Sequence, residues 1–488
     1  MSALKKLFKH TFIYGIATVL PRMLNFLLVP LYTTDGVLSS EAEYGKVNII
    51  FSYFVLFNVV LAYGMETAFF RYFNKESNKK KVIGTSAISL LGSSLIFLLI
   101  GFFFREEVAV ITGIKAEIIQ LVLWILFLDA LVIIPFAWLR AREKSLKYAI
   151  VKIVNVIINL GLNLFLLLLL KNLATDKGTF FDRLYIPDFE INYIFISNLV
   201  ASGVTLLLMF PFYLKITYIF DLSLLKRMLR YAFPILIAGI AFSINESFDR
   251  ILLDKLLPES IAEAEIGKYS ACYKLAVFMT LFATAFRLGI EPFFFSHAKS
   301  KKPQETYAKI TEYFVILGSV ILLVVVVFSN PLKALFLQSK IYWEAMYIVP
   351  IILLANLFLG IYHNLSVWYK ITDQTKFGGY FSVLGAIITL AFNFSLIPVI
   401  GYKGSAYATL AAYGSMAVIS YLIGQKKYPI PYNLKKILAF LSISVIFSIL
   451  SFYVFERNIF IGSGLLLVFL IIVYYSEKDT LRAILIKK

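Results

Sequence analysis

Residues 239–257 read GIAFSINESFDRILLDKLL. The length and apolar content of this stretch are those of a helix that spans a membrane. Yet three ionisable residues, Glu246, Asp249 and Arg250, lie inside it. An ionised side chain in a bilayer is costly, so such residues face protein or a water-filled cavity. The stretch therefore predicts a membrane protein whose helices enclose something polar.

The composition of the whole chain agrees with this interpretation. Of its 488 residues 60% are hydrophobic and 16% are charged, whereas soluble proteins are roughly 45–50% apolar and about 25% charged. Runs of about 20 apolar residues follow one another along the sequence. We predict an all-α polytopic membrane protein with about 14 transmembrane helices, near residues 11–33, 45–65, 82–104, 117–139, 147–170, 191–213, 231–253, 267–289, 308–329, 345–369, 378–399, 404–424, 437–455 and 459–475.

The segments that connect these spans alternate in charge. Of the 47 lysines and arginines, 31 lie in one set of segments, 13 in the other and three inside spans. Cytoplasmic loops carry the excess of positive residues, so the first set is predicted to be cytoplasmic. An even number of spans then places both termini in the cytoplasm. The net charge of +18 is accounted for by orientation, and no nucleic-acid partner is expected.

Cysteine and histidine are too scarce for metal chemistry. The chain has one cysteine, Cys272, and three scattered histidines, so neither an internal disulfide nor a metal cluster is expected. No cofactor is expected either, and no P-loop motif for ATP hydrolysis occurs in the sequence.

Two pairs of similar segments indicate an internal repeat. EAEYGKV at 41–47 resembles EAEIGKY at 263–269, and LGLNLFL at 160–166 resembles LAFNFSL at 390–396. Each pair is six spans apart, which predicts two six-helix lobes in the same orientation, related by a pseudo-twofold axis along the membrane normal. The predicted lobes are 1–225 and 226–430, and residues 431–488 add two C-terminal helices.

Polar and charged residues recur at helical spacing within several spans. Arg22 and Asn25 share a face of the first span, and Lys152 begins a polar face that continues through three asparagines. Glu246 and Arg250 are spaced to pair at i, i+4. Asp129 stands alone in the fourth span. Each of these features has a non-functional alternative. Arg287 lies near a helix end and can reach water by snorkelling. The Glu246–Arg250 pair can be purely structural, and the asparagines can serve only to join helices.

Unpaired cations in a span are best accommodated by a hydrated cavity, and phosphate is the natural partner for such cations. The substrate-binding candidates are Arg22, Asn25, Lys152, Arg250, Lys274 and Arg287. The acidic candidates for coupling transport to an ion are Asp129, Glu246 and Asp249.

The sequence resembles a known family of transporters. FDRILL at 248–253, IGKYSACYKLA at 266–276 and AFRLGIEPFFF at 285–295 are similar to the polysaccharide (O-antigen, Wzx-type) flippases of the multidrug/oligosaccharidyl-lipid/polysaccharide exporter superfamily. LPRMLNFLLVPLYT at 20–33 and RYF at 71–73 fit the same family. The resemblance implies a fourteen-helix fold with a central cleft lined by spans 1, 2, 7 and 8. It places in that cleft Arg22, Arg250, Lys274 and Arg287.

The resemblance also implies an activity. Such a protein moves an undecaprenyl-pyrophosphate-linked oligosaccharide between the leaflets of the bacterial inner membrane by alternating access, without enzymatic chemistry. The expected partners are this lipid, the surrounding membrane lipids, and H+ or Na+ as a driving ion. The alternatives are a lipid II flippase or a multidrug exporter of the same superfamily, and a membrane-embedded O-antigen polymerase or glycosyltransferase. The short predicted outer loops disfavour the enzymes.

Overall fold

The computed structural model describes Val19, Met23 and residues 26–175, 179–297 and 302–486. Within these ranges the chain is mostly helical and contains no β-strand. The α-helices are α1 Leu28–Tyr32, α2 Glu41–Ala62, α3 Met65–Lys75, α4 Lys79–Phe103, α5 Arg105–Thr112, α6 Ala116–Ala141, α7 Ser145–Leu164, α8 Leu170–Leu173, α9 Phe180–Leu184, α10 Glu190–Lys215, α11 Leu222–Leu256, α12 Glu259–Leu275, α13 Val277–His297, α14 Pro303–Val327, α15 Ser329–Phe336, α16 Val349–Leu365, α17 Val367–Ile371, α18 Lys376–Ile400, α19 Tyr402–Lys427, α20 Leu434–Ile449 and α21 Ile459–Ile486.

Three short segments of other helical type continue these helices. Phe165–Leu169 and Leu450–Val454 are single π-helical turns, and Lys340–Ile348 is a 3₁₀ segment that leads into α16. They lengthen the helices on either side, so the spans are longer than some of the individual α-helices.

Twelve of the described helices, counted with the turns that continue them, are long and apolar enough to cross a membrane. A thirteenth span results if the bent pair of α12 and α13 crosses as one. The thirteen segments coincide with predicted spans two to fourteen. They agree because the apolar content of a segment decides whether it can cross the membrane. The first predicted span, 11–33, lies mostly outside the described residues, so the count of fourteen stays a prediction. The chain is a multi-pass α-helical membrane protein.

Polar residues directly before the spans fix where several helices begin. The Ser40 side chain accepts a hydrogen bond from the main-chain N–H of Glu43 at 3.4 Å. Asp221 accepts one from the N–H of Leu224 at 2.9 Å. The first turn of a helix leaves such N–H groups without main-chain partners, and a capping side chain satisfies them.

The chain divides into two compact units, Met1–Gly267 and Lys268–Lys488. In the first unit α11 packs against α2 and α3, and α10 packs against α6 and α7. In the second unit α19 packs against α16 and α18, and α14 packs against α20. The division falls inside α12. A compact unit is not the same as a sequence repeat, so the predicted lobes 1–225 and 226–430 and the appended 431–488 stay predictions.

The asparagines of the second sequence echo make the same hydrogen bonds in each unit. Asn163 donates to the main-chain oxygen four residues earlier at 2.8 Å and accepts from the Tyr32 hydroxyl at 2.7 Å. Asn393 donates four residues back at 2.7 Å and accepts from the Ser405 hydroxyl at 2.7 Å. Both asparagines are fully buried. The echo at an offset of 230 therefore reflects a shared local interaction.

A turn between two spans recurs at the same offset. WLRAREK at 138–144 ends α6, and WYKITDQ at 368–374 ends α17. Glu143 has φ 56° and Asp373 has φ 57°, a left-handed conformation that these residue types tolerate. In both turns the next N–H bonds to the carbonyl five residues before it, at 2.8 Å. The sequence identity is low here, and only the structure reveals the repetition.

Both turns carry an ion pair of the same kind. Arg140 of α6 pairs with Glu66 of α3, and Lys370 of α17 lies 2.6 Å from Glu291 of α13. The basic residues are 230 positions apart and the acidic ones 225. Each unit therefore contains the same link between two of its spans. These recurrences support an internal repeat, while the superposition of whole lobes stays a prediction.

The repeated heptads lie against each other. A Cβ atom at Gly45 of α2 would collide with the main-chain oxygen of Glu263 in α12, and one at Gly267 would collide with that of Glu41. Lys46 adds a salt bridge to Glu263 at 3.2 Å. Glycine allows two helix backbones to approach closely. The reciprocal contact explains why each copy of the heptad has a glycine at its fifth position.

Candidate functional site

Several ionisable side chains lie inside membrane-spanning helices, where charge is costly and such residues are a default hypothesis for a functional site. Three clusters contain residues that the sequence analysis singled out. One surrounds Arg250 in α11, one surrounds Lys152 in α7, and one surrounds Arg287 in α13. The first two belong to the first compact unit and the third to the second.

Arg250 forms a buried ion pair with its neighbour in the chain. Its Nη1 lies 2.8 Å from Oδ1 of Asp249, and their side chains are only 8% and 6% exposed. The same nitrogen donates to the main-chain oxygen of Glu246 at 3.4 Å. The sequence spacing predicted that Arg250 pairs with the Glu246 carboxylate. The structure shows a pair with Asp249, and the guanidinium also reaches the main chain of Glu246, one turn earlier in α11.

Lys152 has a partner that its own helix did not reveal. Asp129 of α6 is close enough to Lys152 of α7 to interact with it electrostatically. Asp129 also accepts a hydrogen bond from the Ser202 hydroxyl of α10 at 2.8 Å. The Lys152 ammonium lies 4.4 Å from the centre of the Phe136 ring, which supplies a cation–π contact. Three helices of the first unit thus meet at a lysine and an aspartate.

The asparagines that follow Lys152 along α7 hold helices together. Asn155 donates to the Thr205 hydroxyl of α10 at 2.9 Å. Asn163 and Asn159 are hydrogen-bonded to each other at 3.1 Å, and Asn163 also bonds to Tyr32. Interhelical bonds of this kind are common between membrane-spanning helices. Lys152 is the one charged residue of this predicted polar face.

Lys274 lies next to a break in the predicted eighth span. Helices α12 and α13 meet at Ala276 with a bend of 47°, and Lys274 is two residues before it. The Thr280 hydroxyl donates to the main-chain oxygen of Val277 at 2.8 Å, near the bend. Broken helices in transporters expose main-chain groups that line substrate and ion sites. The break is a feature that the continuous apolar run 267–289 did not predict.

Arg287 contacts a histidine that the sequence analysis left unassigned. Its Nη1 lies 3.3 Å from Nε2 of His363 in α16. A guanidinium only donates, so the imidazole nitrogen must accept, which requires the neutral ring. Glu291, one turn along α13, pairs with Lys370, and these four side chains line one small cavity of the second unit. His363 sits within an apolar span, IYHNLSVWYK, and that setting was the signal available in the sequence.

Two candidate residues cannot be located, and the cysteine and histidines form no metal site among the described residues. Arg22 and Asn25 lie outside the described residues. Within the ranges that the structure describes, no group of three or more histidine, cysteine or acidic side chains could hold a metal ion. Cys272 is buried, and its Sγ donates to the main-chain oxygen of Tyr342 at 3.1 Å.

One protein family matches more than half of the chain. Residues 7–287 match the family described as "Polysaccharide biosynthesis protein". The matched range contains all nine candidate residues of the sequence analysis, from Arg22 to Arg287. No curated protein gives a significant match to the sequence.

Several solved structures share the fold. The lipid II flippase MurJ in an inward closed conformation superposes with a TM-score of 0.72, is 18% identical, and the match covers 95% of this chain and 99% of that one. An inward-facing multidrug resistance MATE family transporter of the MOP superfamily gives 0.62 at 13% identity, over 88% and 96%. A MOP superfamily transporter from Pyrococcus furiosus gives 0.62 at 14% identity, over 90% and 99%. At sequence identities this low, the structural superposition shows that these proteins share a fold and nothing more.

Proposed function

Because this chain belongs to the polysaccharide biosynthesis protein family, we propose that it is a flippase for a lipid-linked oligosaccharide. The substrate is an oligosaccharide on undecaprenyl pyrophosphate, which moves from the cytoplasmic to the periplasmic leaflet of a bacterial inner membrane. Both termini lie in the cytoplasm. No bond is made or broken in the substrate, so the protein is a transporter and not an enzyme.

The observation that carries the proposal is the set of basic side chains inside the spans. Arg250 lies beside the carboxylate of Asp249, and Lys152 is within electrostatic range of Asp129. A pyrophosphate is a stronger partner for such cations than a carboxylate, since it offers more acceptor oxygens and more charge. If the carboxylate is protonated as the substrate binds, the cation pairs with the pyrophosphate and neither group is left buried with an uncompensated charge, which is the costly alternative. The sugar passes through the protein while the polyprenyl chain stays in lipid.

The same pairs offer a route for ion coupling. Protonation of Asp129 neutralises the carboxylate beside Lys152, and it changes how strongly that lysine attracts an anion. A proton gradient across the membrane then biases substrate binding on the two sides. Na+ and the membrane potential are the alternative driving forces, with Glu246 and Asp249 as further acidic candidates.

A lipid II flippase is the second candidate, and the fold likeness to MurJ favours it. Lipid II carries the same polyprenyl pyrophosphate, so the pyrophosphate-binding argument applies equally. A multidrug exporter is less well supported, because cationic drugs need an acidic cavity, whereas the five candidate cations inside these spans outnumber the three candidate carboxylates.

Transport by the purified protein distinguishes these functions. Proteoliposomes are loaded with a fluorescent undecaprenyl-pyrophosphate-linked oligosaccharide, with lipid II, or with a cationic dye, under an imposed proton gradient or potential. We expect the oligosaccharide lipid to become accessible to a membrane-impermeant quencher, and Arg250→Ala to abolish this. Arg250→Lys is expected to restore it in part, since lysine keeps the charge but loses the fork of donors.

Each outcome decides between the candidates. Transport of lipid II alone would transfer the assignment to the second candidate, and transport of the dye alone would refute both flippase proposals. Asn155→Ala, a matched change outside the charged pairs, should retain transport. If Arg250→Ala transports at the wild-type rate, the role given to Arg250 is wrong.

A further inference from the structure

A basic pocket lies at one end of the first compact unit, on the side that the charge bias predicts to be cytoplasmic. Its volume is about 280 Å³, and helices α4, α6, α7 and α10 contribute to its walls. Among the described residues that line it there are five cations and no carboxylate. The cations are Lys80, Arg142, Lys144, Lys147 and Lys215, and we call the cavity that they line the basic pocket.

Two nearby carboxylates are engaged with other cations, and Glu143, between Arg142 and Lys144 in the chain, does not line the pocket. Glu66 pairs with Arg140, and Asp221 pairs with Lys81. In the described part of the chain, none of the five pocket cations forms a salt bridge. The pocket therefore has an uncompensated positive charge, and an anion from outside the protein is the natural way to balance it.

Aromatic rings make one wall of the pocket. The Lys144 ammonium lies 4.8 Å from the centre of the Trp138 ring, and the buried Phe212 also lines the cavity. The ring contact restricts a lysine that would otherwise sample many conformations. Tryptophan is also typical of the membrane–water interface, which is the depth of a lipid headgroup.

Helix dipoles do not explain these cations. A lysine near a helix C-terminus, such as Lys215 at the end of α10, is stabilised by the dipole. Lys80 and Lys147, however, lie in the first turns of α4 and α7, where a positive charge opposes the dipole. A bound anion would interact favourably with both the lysines and the two helix N-termini.

The second unit provides an internal comparison. Its turn at 368–374 has the same backbone conformation as the turn at 138–144. At an offset of 230, however, Thr372 and Gln374 replace Arg142 and Lys144. The turn therefore forms without cations at these two positions, and the charges at 142 and 144 serve another purpose.

The surroundings of the pocket favour a lipid over a soluble anion. Leu146 and Ile150 of α7 and Leu214 and Phe210 of α10 follow the pocket residues along their helices and are between 49% and 72% exposed. In a multi-pass protein such apolar side chains face hydrocarbon. Acyl chains can lie along them while the headgroup enters the cavity.

We propose that the basic pocket binds the phosphate headgroup of an anionic phospholipid from the leaflet predicted to be cytoplasmic. Basic pockets between transmembrane helices on this side are suited to such headgroups. The site differs from the charged pairs inside the spans, and its occupant is a structural or regulatory lipid and not the transported one.

Binding of defined lipids to the delipidated full-length protein tests this proposal. Native mass spectrometry follows titration with phosphatidylglycerol, with phosphatidylcholine and with undecaprenyl pyrophosphate. The variant Arg142→Thr/Lys144→Gln/Lys147→Gln introduces at 142 and 144 the residues of the second unit's turn. We expect its affinity for phosphatidylglycerol to fall by roughly 100-fold at low ionic strength, at about tenfold or less per cation. Binding of phosphatidylcholine should not change.

The matched control removes three exposed cations outside the pocket, Lys226→Gln/Arg230→Gln/Lys309→Gln, and should retain the wild-type affinity. An equal loss in this control would mean that overall charge, and not the pocket, attracts the lipid. Unchanged phosphatidylglycerol binding in the pocket variant would overturn the proposal. The proposal would also fail if undecaprenyl pyrophosphate displaced phosphatidylglycerol from the wild-type pocket at a far lower concentration, because the pocket would then be a substrate site. Wild-type binding that is insensitive to salt would also contradict it.

Discussion

Arg250 illustrates how a single residue keeps its charge inside a membrane span. Its side chain folds onto Asp249 and the main-chain oxygen of Glu246, so both groups of its own helix contribute to holding the charge. A pair of this kind costs desolvation energy twice, and removing one partner leaves the other charge buried alone. The interaction between these two residues can therefore be measured apart from transport.

We predict that the Asp249–Arg250 pair is strongly coupled. Arg250→Ala and Asp249→Ala should each lower the free energy of unfolding by about 3 kcal/mol, because each removes the buried partner of an ionised side chain. The double variant should be less destabilised than either single one. Thermal unfolding in detergent measures all four proteins.

The control is the partly exposed pair of Lys46 and Glu263, whose side chains are 44% and 34% exposed. Lys46→Ala should change the stability by about 1 kcal/mol or less. Additive losses at Asp249 and Arg250 would show that the pair is not coupled.

The glycines of the repeated heptads also act at the residue scale. We predict that Gly45→Ala and Gly267→Ala each destabilise the protein, because the added Cβ meets a main-chain oxygen that cannot move aside. Gly203→Ala in α10, where nothing lies within 4 Å, is the matched control. It should stabilise the helix by up to about 1 kcal/mol, since alanine is the better helix former. Equal thermal stability of all three variants would argue against the close approach of α2 and α12.

At the scale of single elements, helix starts and helix breaks position the charged groups. The bend between α12 and α13 places Lys274 beside a discontinuity in the main chain. No proline or glycine stands at the bend, so it is the packing of the helix, and not its local sequence, that determines it. The start of α11 is by contrast decided locally, by the cap that Asp221 provides.

We predict that the Asp221 cap makes stability depend on pH. The Lys81 ammonium, the Ser223 hydroxyl and the Leu224 N–H all bond to this carboxylate, and they lower its pKa well below the usual range. A carboxyl group whose folded pKa is depressed stabilises the fold above its unfolded pKa, about 3.9. That contribution is lost as the pH falls below this value towards the folded pKa.

The variant Asp221→Asn separates the charge from the cap, since asparagine is an equally good N-cap residue. Its thermal stability should be lower than the wild-type value at pH 7, and the difference should shrink progressively as the pH falls below about 4, measured in detergent at matched salt. A constant difference between the two proteins across this range would exclude the carboxylate as the cause.

At the scale of the whole molecule, the recurring turn and ion pair are evidence for two related halves. If the repeats are parallel, equivalent turns lie on the same side of the membrane. The turns at 138–144 and 368–374 are equivalent by backbone conformation and by their basic residues, Arg140 and Lys370. The orientation of the protein can therefore be tested at both turns.

We predict that cysteines at positions 144 and 373 are both labelled only from the cytoplasm, in a Cys272→Ser background. A cysteine at position 79 should behave in the same way, because all three belong to the segments that contain the excess of positive residues. Paired labelling of sealed cells with permeant and impermeant maleimides measures this. Labelling of 144 and 373 from opposite sides would reject parallel repeats, and labelling of both from outside would reverse the orientation.

The amino-acid sequence by itself determined the membrane class and the position of the described spans. Those features depend on the apolar content of contiguous residues, which is local information. It also located the heptads that pack against each other, and it identified Arg250, Lys152 and Arg287 as charges in costly places. It predicted the i, i+4 partner for Arg250, although the structure shows that Asp249 is paired with it.

Only the tertiary structure decided which groups meet. Asp129 and Lys152 lie on different helices, 23 positions apart in the sequence, and His363 reaches Arg287 from 76 positions away. The bend beside Lys274 and the convergence of five cations in the basic pocket likewise depend on how helices pack. Such contacts join residues whose separation along the chain has no fixed relation to distance in space, and so no local pattern predicts them.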